Sequence, residues 1–206
     1  MGELIVVRHG QTEWSRSGRY AGRTDVPLTE AGEAAARALG ARLADRPRPV
    51  AVFSSPLGRA MRTARLAGLA GARPDPDLLE WDYGGYEGLT AARIRAGRPG
   101  WELWRDGLVP GDAEHPGEGL ERVAARVDAV LERVRPLLDA GDVAVVAHGH
   151  LTRVLAVRWL GLDASASRFL GLDASASRFL GHPHPGSLTV LAEEDGQRVI
   201  SAWNTR

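Results

Sequence analysis

Leu4-Ile5-Val6-Val7-Arg8-His9-Gly10 is the stretch that decides the fold. Four apolar residues in an unbroken run predict a buried strand, and Gly10 ends it in a turn. Val143-Ala144-Val145-Val146-Ala147-His148-Gly149 repeats the design, an apolar strand closing on His-Gly. Val50–Ser54, ended by Ser55-Pro56, predicts a further buried strand. Helical patterns alternate with these runs. Thr29 reads as the N-cap of a helix reaching about Ala44, and further helices are expected over Leu57–Leu69, Thr90–Ala96 and His150–Leu160. Glu118–Leu138 is a long amphipathic helix, with Leu120, Val123, Val127, Val130, Leu131 and Val134 at helical spacing. Ser187–Ala192 and Gln197–Trp203 predict a strand pair around the turn Glu194-Asp195-Gly196. Residues 11–28 read as a polar loop, 74–89 as irregular and rich in aromatics, and 97–117 as a Gly/Pro-rich excursion. Alternating β and α elements predict a three-layer α/β/α sandwich, a mostly parallel central sheet with helices on both faces.

The length of 206 residues suits a single domain spanning 1–206 with a real core. The formal net charge is zero, from 26 basic and 26 acidic residues, which argues against a general nucleic-acid or membrane-surface binder. Every basic residue is arginine, so lysine-dependent catalysis is excluded. With no cysteine there is no disulfide, thiol catalysis or thiolate metal site. The N-terminus enters a strand directly and no apolar run is long enough to span a membrane, so a cytoplasmic protein is expected.

Gly161–Leu170 recurs unchanged as Gly171–Leu180. One duplication is too short for a solenoid. Ten residues advance a helix by about 1000°, or about 280° net, so two copies in one straight helix cannot present the same face to one neighbour. A surface-accommodated tandem duplication is expected, with a lid extension or oligomer contact as the alternative.

Four pieces carry chemistry. His9 and His148 each stand where a strand ends, the edge at which ligands bind in open α/β sheets. Either alone is compatible with a core histidine, whereas two strand-end histidines, one preceded by Arg8, suit a phosphate site. Arg59 falls in the first turn of a helix, an unfavourable place that a bound anion would reverse; Arg62 reads as a surface residue or one standing just behind the site. Glu80 lies among aromatics in Glu80-Trp81-Asp82-Tyr83-Gly84-Gly85-Tyr86-Glu87-Gly88. Apolar rings favour a neutral carboxyl, which can donate a proton to a leaving alkoxide. His182 and His184 lack nearby carboxylates or cysteines and make a poor metal set, so they read as loop residues.

Arg8-His9-Gly10, Ser55-Pro56 with Arg59, Glu80 with Tyr83-Gly84 and Tyr86-Glu87-Gly88, and His148-Gly149 together resemble the histidine phosphatase superfamily, in its phosphoglycerate mutase-like branch. The likeness is greatest to acid phosphatase and sedoheptulose-bisphosphatase-like members. It implies that His9 is a nucleophile forming phosphohistidine. Arg8, Arg59 and His148 would hold the phosphoryl oxygens, and Glu80 would protonate the leaving group and then activate water. Gln11, Thr12 and Gly149 would help bind phosphate. Ser15 stands where mutases of the family carry Asn, a departure at one phosphate contact. The loop holding His182 and His184 would lie near the pocket rim. A homodimer through a sheet edge or the long helices is the expected assembly.

The expected activity is a metal-independent, cofactor-free phosphatase acting on a small phosphorylated metabolite, a sugar phosphate or bisphosphate. It should favour mildly acidic conditions, because Glu80 is needed as an acid. A phosphoglycerate mutase and a non-catalytic phospho-ligand binding module are the alternatives.

Overall fold

The computed structural model describes residues 1–162 and 180–206. The duplication at 161–180 falls almost wholly on 163–179, outside the described residues. Strands β1 (Leu4–Arg8), β2 (Ala51–Ser54), β3 (Arg73–Pro74), β4 (Val143–Ala147), β5 (Leu188–Glu194) and β6 (Gln197–Thr205) form one sheet in the order β3-β2-β4-β1-β5-β6. The first four in that order run parallel, while β5 is antiparallel to β1 and β6 to β5. The α-helices among the described residues are α1 (Glu13–Ser17), α2 (Glu30–Leu43), α3 (Gly58–Leu66), α4 (Ala91–Gly97), α5 (Leu103–Asp106), α6 (Leu120–Val134) and α7 (Gly149–Trp159).

Period-two alternation divides the strands between two cores. Leu4, Val6, Val143, Val145 and Ala147 pack with Val123, Val127 and Leu131 of α6 and Leu151, Val154 and Leu155 of α7. Ile5, Val7, Val52, Ala144 and Val146 pack with Leu39 of α2 and Ala60 and Ala64 of α3. Each such Val, Leu or Ile contributes about 1.5–3 kcal/mol by leaving water. Both faces of β1 and β4 are therefore covered, which is why their sequences are apolar without a break. The three-layer expectation holds.

Several boundaries differ from the expectation. The polar loop 11–28 contains α1, because the Thr12 side chain accepts from the Ser15 N–H while the Ser15 hydroxyl accepts from the Thr12 N–H. These reciprocal bonds satisfy two otherwise orphaned donors. The helix expected to reach Leu138 ends at Val134 and continues as a 3₁₀ turn, Arg135–Asp139. Pro136 has no N–H to donate, and its ring displaces the carbonyl one turn back. The 97–117 excursion contains α5, and β3 is a two-residue strand opposite Phe53 and Ser54. The β5–β6 hairpin turns at Asp195-Gly196, with Glu194 opposite Gln197.

Candidate active site

Register assembles the site. Arg8 pairs with Ala147 on adjacent parallel strands, so His9 and His148 leave the sheet side by side. Their rings meet edge to face with centroids 5.1 Å apart. On the other side of β4, Ser54 pairs with Val146, and Ser55 next to it places its hydroxyl 2.8 Å from His148 Nε2. All three residues stand at the carboxyl ends of parallel strands, where α/β sheets bind ligands.

His9 Nδ1 lies 2.7 Å from the carbonyl of Gly10. A carbonyl can only accept, so Nδ1 carries the proton and Nε2 keeps its lone pair. Burial, then the Arg59 and Arg8 guanidinium groups, hold the His9 imidazole well below its usual range. Burial and Arg59 do the same to His148, whose Nδ1 is enclosed without a hydrogen-bond partner among the described residues. Both rings are thus neutral at neutral pH.

The Arg8 guanidinium is pulled down to about 10 by burial and donates through Nη1 to the Pro183 carbonyl. Arg59 is fully enclosed, donating to the carbonyls of Thr24 at 2.7 Å, Gly22 at 2.8 Å and Ala21 at 3.1 Å. The anion expected at the start of its helix is supplied by the chain itself: Asp25 accepts from the Gly58 N–H at 2.6 Å and the Arg59 N–H at 3.3 Å. Arg62 is on the surface as expected, paired with Glu33 at 2.8 Å.

Glu80 differs from its expected setting among rings. Its Oε1 accepts from the N–H groups of Trp81 at 3.0 Å and Leu151 at 2.9 Å, and its Oε2 from His150 N–H at 3.0 Å. Two of these donors belong to the first turn of α7, whose unpaired N–H groups and dipole attract an anion. Glu80 is thereby fixed beside the strand-end histidines. Gly149 opens the same helix. A Cβ there would collide with the His182 ring and press on the Arg8 guanidinium, so glycine permits their approach.

A cavity of about 480 Å³ opens above these groups. Of the residues expected at the site, Arg8, His9, Thr12, Ser15 and Glu80 line it. Arg59 and His148 stand behind, both buried. Gln11 instead directs its side-chain carbonyl to the Thr29 hydroxyl, 3.1 Å away at the start of α2. The Ser15 hydroxyl is occupied by its cap, donating to the Thr12 carbonyl at 3.0 Å.

The cavity also takes residues that the sequence reading did not name as site residues: Arg19, Tyr20, Tyr83, His150 and Arg153. Burial raises Tyr83 well above the usual phenol range, so its hydroxyl stays protonated; it is hydrogen-bonded with His150 Nδ1 at 2.6 Å. Arg153 lies over the Trp104 ring at 4.8 Å and is pulled down to about 10 by burial. The available signal was spacing: Arg153 follows His150 by three positions and so shares its helix face. The rim expected from 182–184 is present, since His182, Pro183 and His184 line the mouth. Among the described residues no helix is long and apolar enough to cross a membrane, and none form a group of three or more metal-ligating side chains.

The chain is 39% identical over 163 residues to an acid phosphatase of Mycobacterium tuberculosis, covering 77% of this chain and 76% of that protein. It is 35% identical over 186 residues to sedoheptulose 1,7-bisphosphatase of Saccharomyces cerevisiae, covering 77% and 67%. A mycobacterial glucosyl-3-phosphoglycerate phosphatase solved with VO3 superposes with a TM-score of 0.81 at 31% identity, covering 100% of both chains. The family model that matches residues 4–206 is that of branch 1. By sequence, by sheet order and by the two strand-end histidines, this chain belongs to the histidine phosphatase superfamily, branch 1.

Proposed function

We propose that this phosphoric monoester hydrolase works through a phosphohistidine at His9 Nε2, without a metal ion. One observation carries the reading: the Gly10 carbonyl accepts a hydrogen bond from Nδ1–H, leaving an unprotonated Nε2 in the cavity that Arg8 and Glu80 also line. Nε2 attacks phosphorus and the ester P–O bond breaks. The acid form of Glu80 gives its proton to the leaving oxygen. Its carboxylate then takes a proton from the water that attacks phosphohistidine, releasing phosphate and restoring neutral His9. Arg8, Arg59 and His148 surround the phosphoryl oxygens, where charge spreads in the transition state.

The favoured substrate is a small sugar phosphate carrying a second anionic group. Arg19 and Arg153 line the cavity beyond Arg8, and among the described residues Glu80 is the one acidic side chain in its wall. The sedoheptulose 1,7-bisphosphatase and glucosyl-3-phosphoglycerate phosphatase names of the relatives support this class.

The test is turnover of a sugar phosphate panel in the presence of EDTA, with acid-stable and acid-labile phosphoenzyme assayed after rapid quench. Free phosphate should appear, with an acid-labile adduct that His9→Ala lacks. EDTA-sensitive turnover, activity surviving His9→Ala, or conversion of 3- to 2-phosphoglycerate without phosphate release each defeats the reading.

A further inference from the structure

Glu87 does not line the cavity, yet it holds the segment on which Arg59 depends. Its carboxylate accepts from Gly22 N–H at 2.9 Å through Oε1 and 3.0 Å through Oε2, and from Thr24 N–H at 3.1 Å. The opposite edge of the same segment presents the carbonyls of Ala21, Gly22 and Thr24 to the Arg59 guanidinium. Residues 21–24 are therefore gripped from both sides, N–H groups by an anion and carbonyls by a cation. The peptide dipoles between them lie in the sense that favours both charges.

The grip is tight. A Cβ on Gly22 would overlap the Trp81 carbonyl and come within 2.8 Å of Glu87 Oε2, so only glycine lets the segment seat against both. The next residue, Asp25, caps α3 and lies 3.6 Å from Arg59 Nη1. Arg59 in turn is the largest charge acting on both His9 and His148.

We propose that Glu87 is a positioning residue for phosphoryl binding: through the peptide groups of residues 21–24 it fixes the Arg59 guanidinium behind His9 and His148. The assignment of Arg59 to the phosphoryl oxygens rests on the function proposed above, whereas the mechanical link between Glu87 and Arg59 does not. In this role Glu87 touches neither substrate nor the reacting atoms. Its removal leaves the reacting groups in place and spoils the position of one cation.

The experiment is a double-mutant cycle on orthovanadate affinity and kcat/KM, using Glu87→Ala, Arg59→Ala and the pair, with amide hydrogen exchange on each protein. Losing charge-assisted bonds to two peptide groups should weaken vanadate binding about tenfold or more in Glu87→Ala. In the Arg59→Ala background the same change should have little further effect. Glu87→Gln, which keeps one accepting oxygen, should recover part of the loss. Amides of residues 21–25 should exchange faster in both single variants. Additive losses in the cycle, or unchanged exchange at 21–25 in Glu87→Ala, would overturn the proposal. The exchange measurement needs no substrate, so it judges the link between Glu87 and Arg59 even if wild-type turnover defeats the proposed function.

Discussion

A single backbone contact, the Gly10 carbonyl on Nδ1, fixes the tautomer of His9 without a carboxylate partner. His148 is held from the other nitrogen, by Ser55. Ser55→Ala would leave that buried ring without a described partner on either nitrogen, a cost of about 1–3 kcal/mol. We expect a matching fall in urea stability and a loss of kcat/KM of about tenfold; unchanged kinetics would mean that the hydroxyl does not orient His148. Arg19 and Arg153 should act on binding. Arg153→Ala and Arg19→Ala should each raise KM for a sugar bisphosphate about tenfold, the scale of one charge-assisted contact. KM for p-nitrophenyl phosphate, which lacks a second anionic group, should change much less. Equal changes for both substrates would place the two arginines elsewhere in the cycle.

At the scale of the element, the short helix α1 shows what local chemistry can do against composition. Residues 11–28 look like loop because Gly, Arg and Ser dominate them, yet the Thr12–Ser15 capping box starts a helix there. Ser15→Ala removes one member of that box and should cost about 1 kcal/mol, read as a lower urea midpoint. Phosphate affinity should change little, because the hydroxyl is already spent on Thr12. A large loss of phosphate affinity would restore Ser15 as a direct ligand. The same contrast explains what was legible beforehand. β1 and β4 were readable because burial on both faces leaves an unbroken apolar run, and the strand-end histidines followed from them. β3 was not, because its pairing with β2 involves only Arg73 and Pro74. Arg8, His9 and Glu80 were legible as a set through family resemblance. Arg153 and Tyr83 were missed because their places depend on which face of α7 meets the turn at 83–86, a tertiary fact. The true surroundings of Glu80 were hidden for the same reason, since two of its three backbone donors come from residues about seventy positions later.

For the whole molecule, the buried histidines of the active site make stability depend on pH. His9 and His148 are buried and neutral, with imidazoles held well below the usual 6.5 by burial and by Arg59. The unfolded chain begins to take up protons on these groups near pH 6.5, while the folded chain does not until lower pH. Unfolding therefore becomes easier as pH falls through 6.5, and this contribution is level above it. His150 and His182 are also held low, chiefly by burial, so four groups contribute. His9, His148 and His150 each lose about 1.2 kcal/mol between pH 7 and 5.5, and His182, which the mouth leaves partly exposed, loses less. Urea titrations at the two pH values should show the sum, and His9→Ala should lose about a quarter to a third of the histidine contribution. Saturating inorganic phosphate should restore stability at pH 5.5 more than at pH 7, because an anion among Arg8, Arg59 and the two rings offsets the charge that disfavours their protonation. If wild type and His9→Ala show the same pH dependence, His9 is not held neutral by the fold, and its readiness as a nucleophile must come from bound substrate instead.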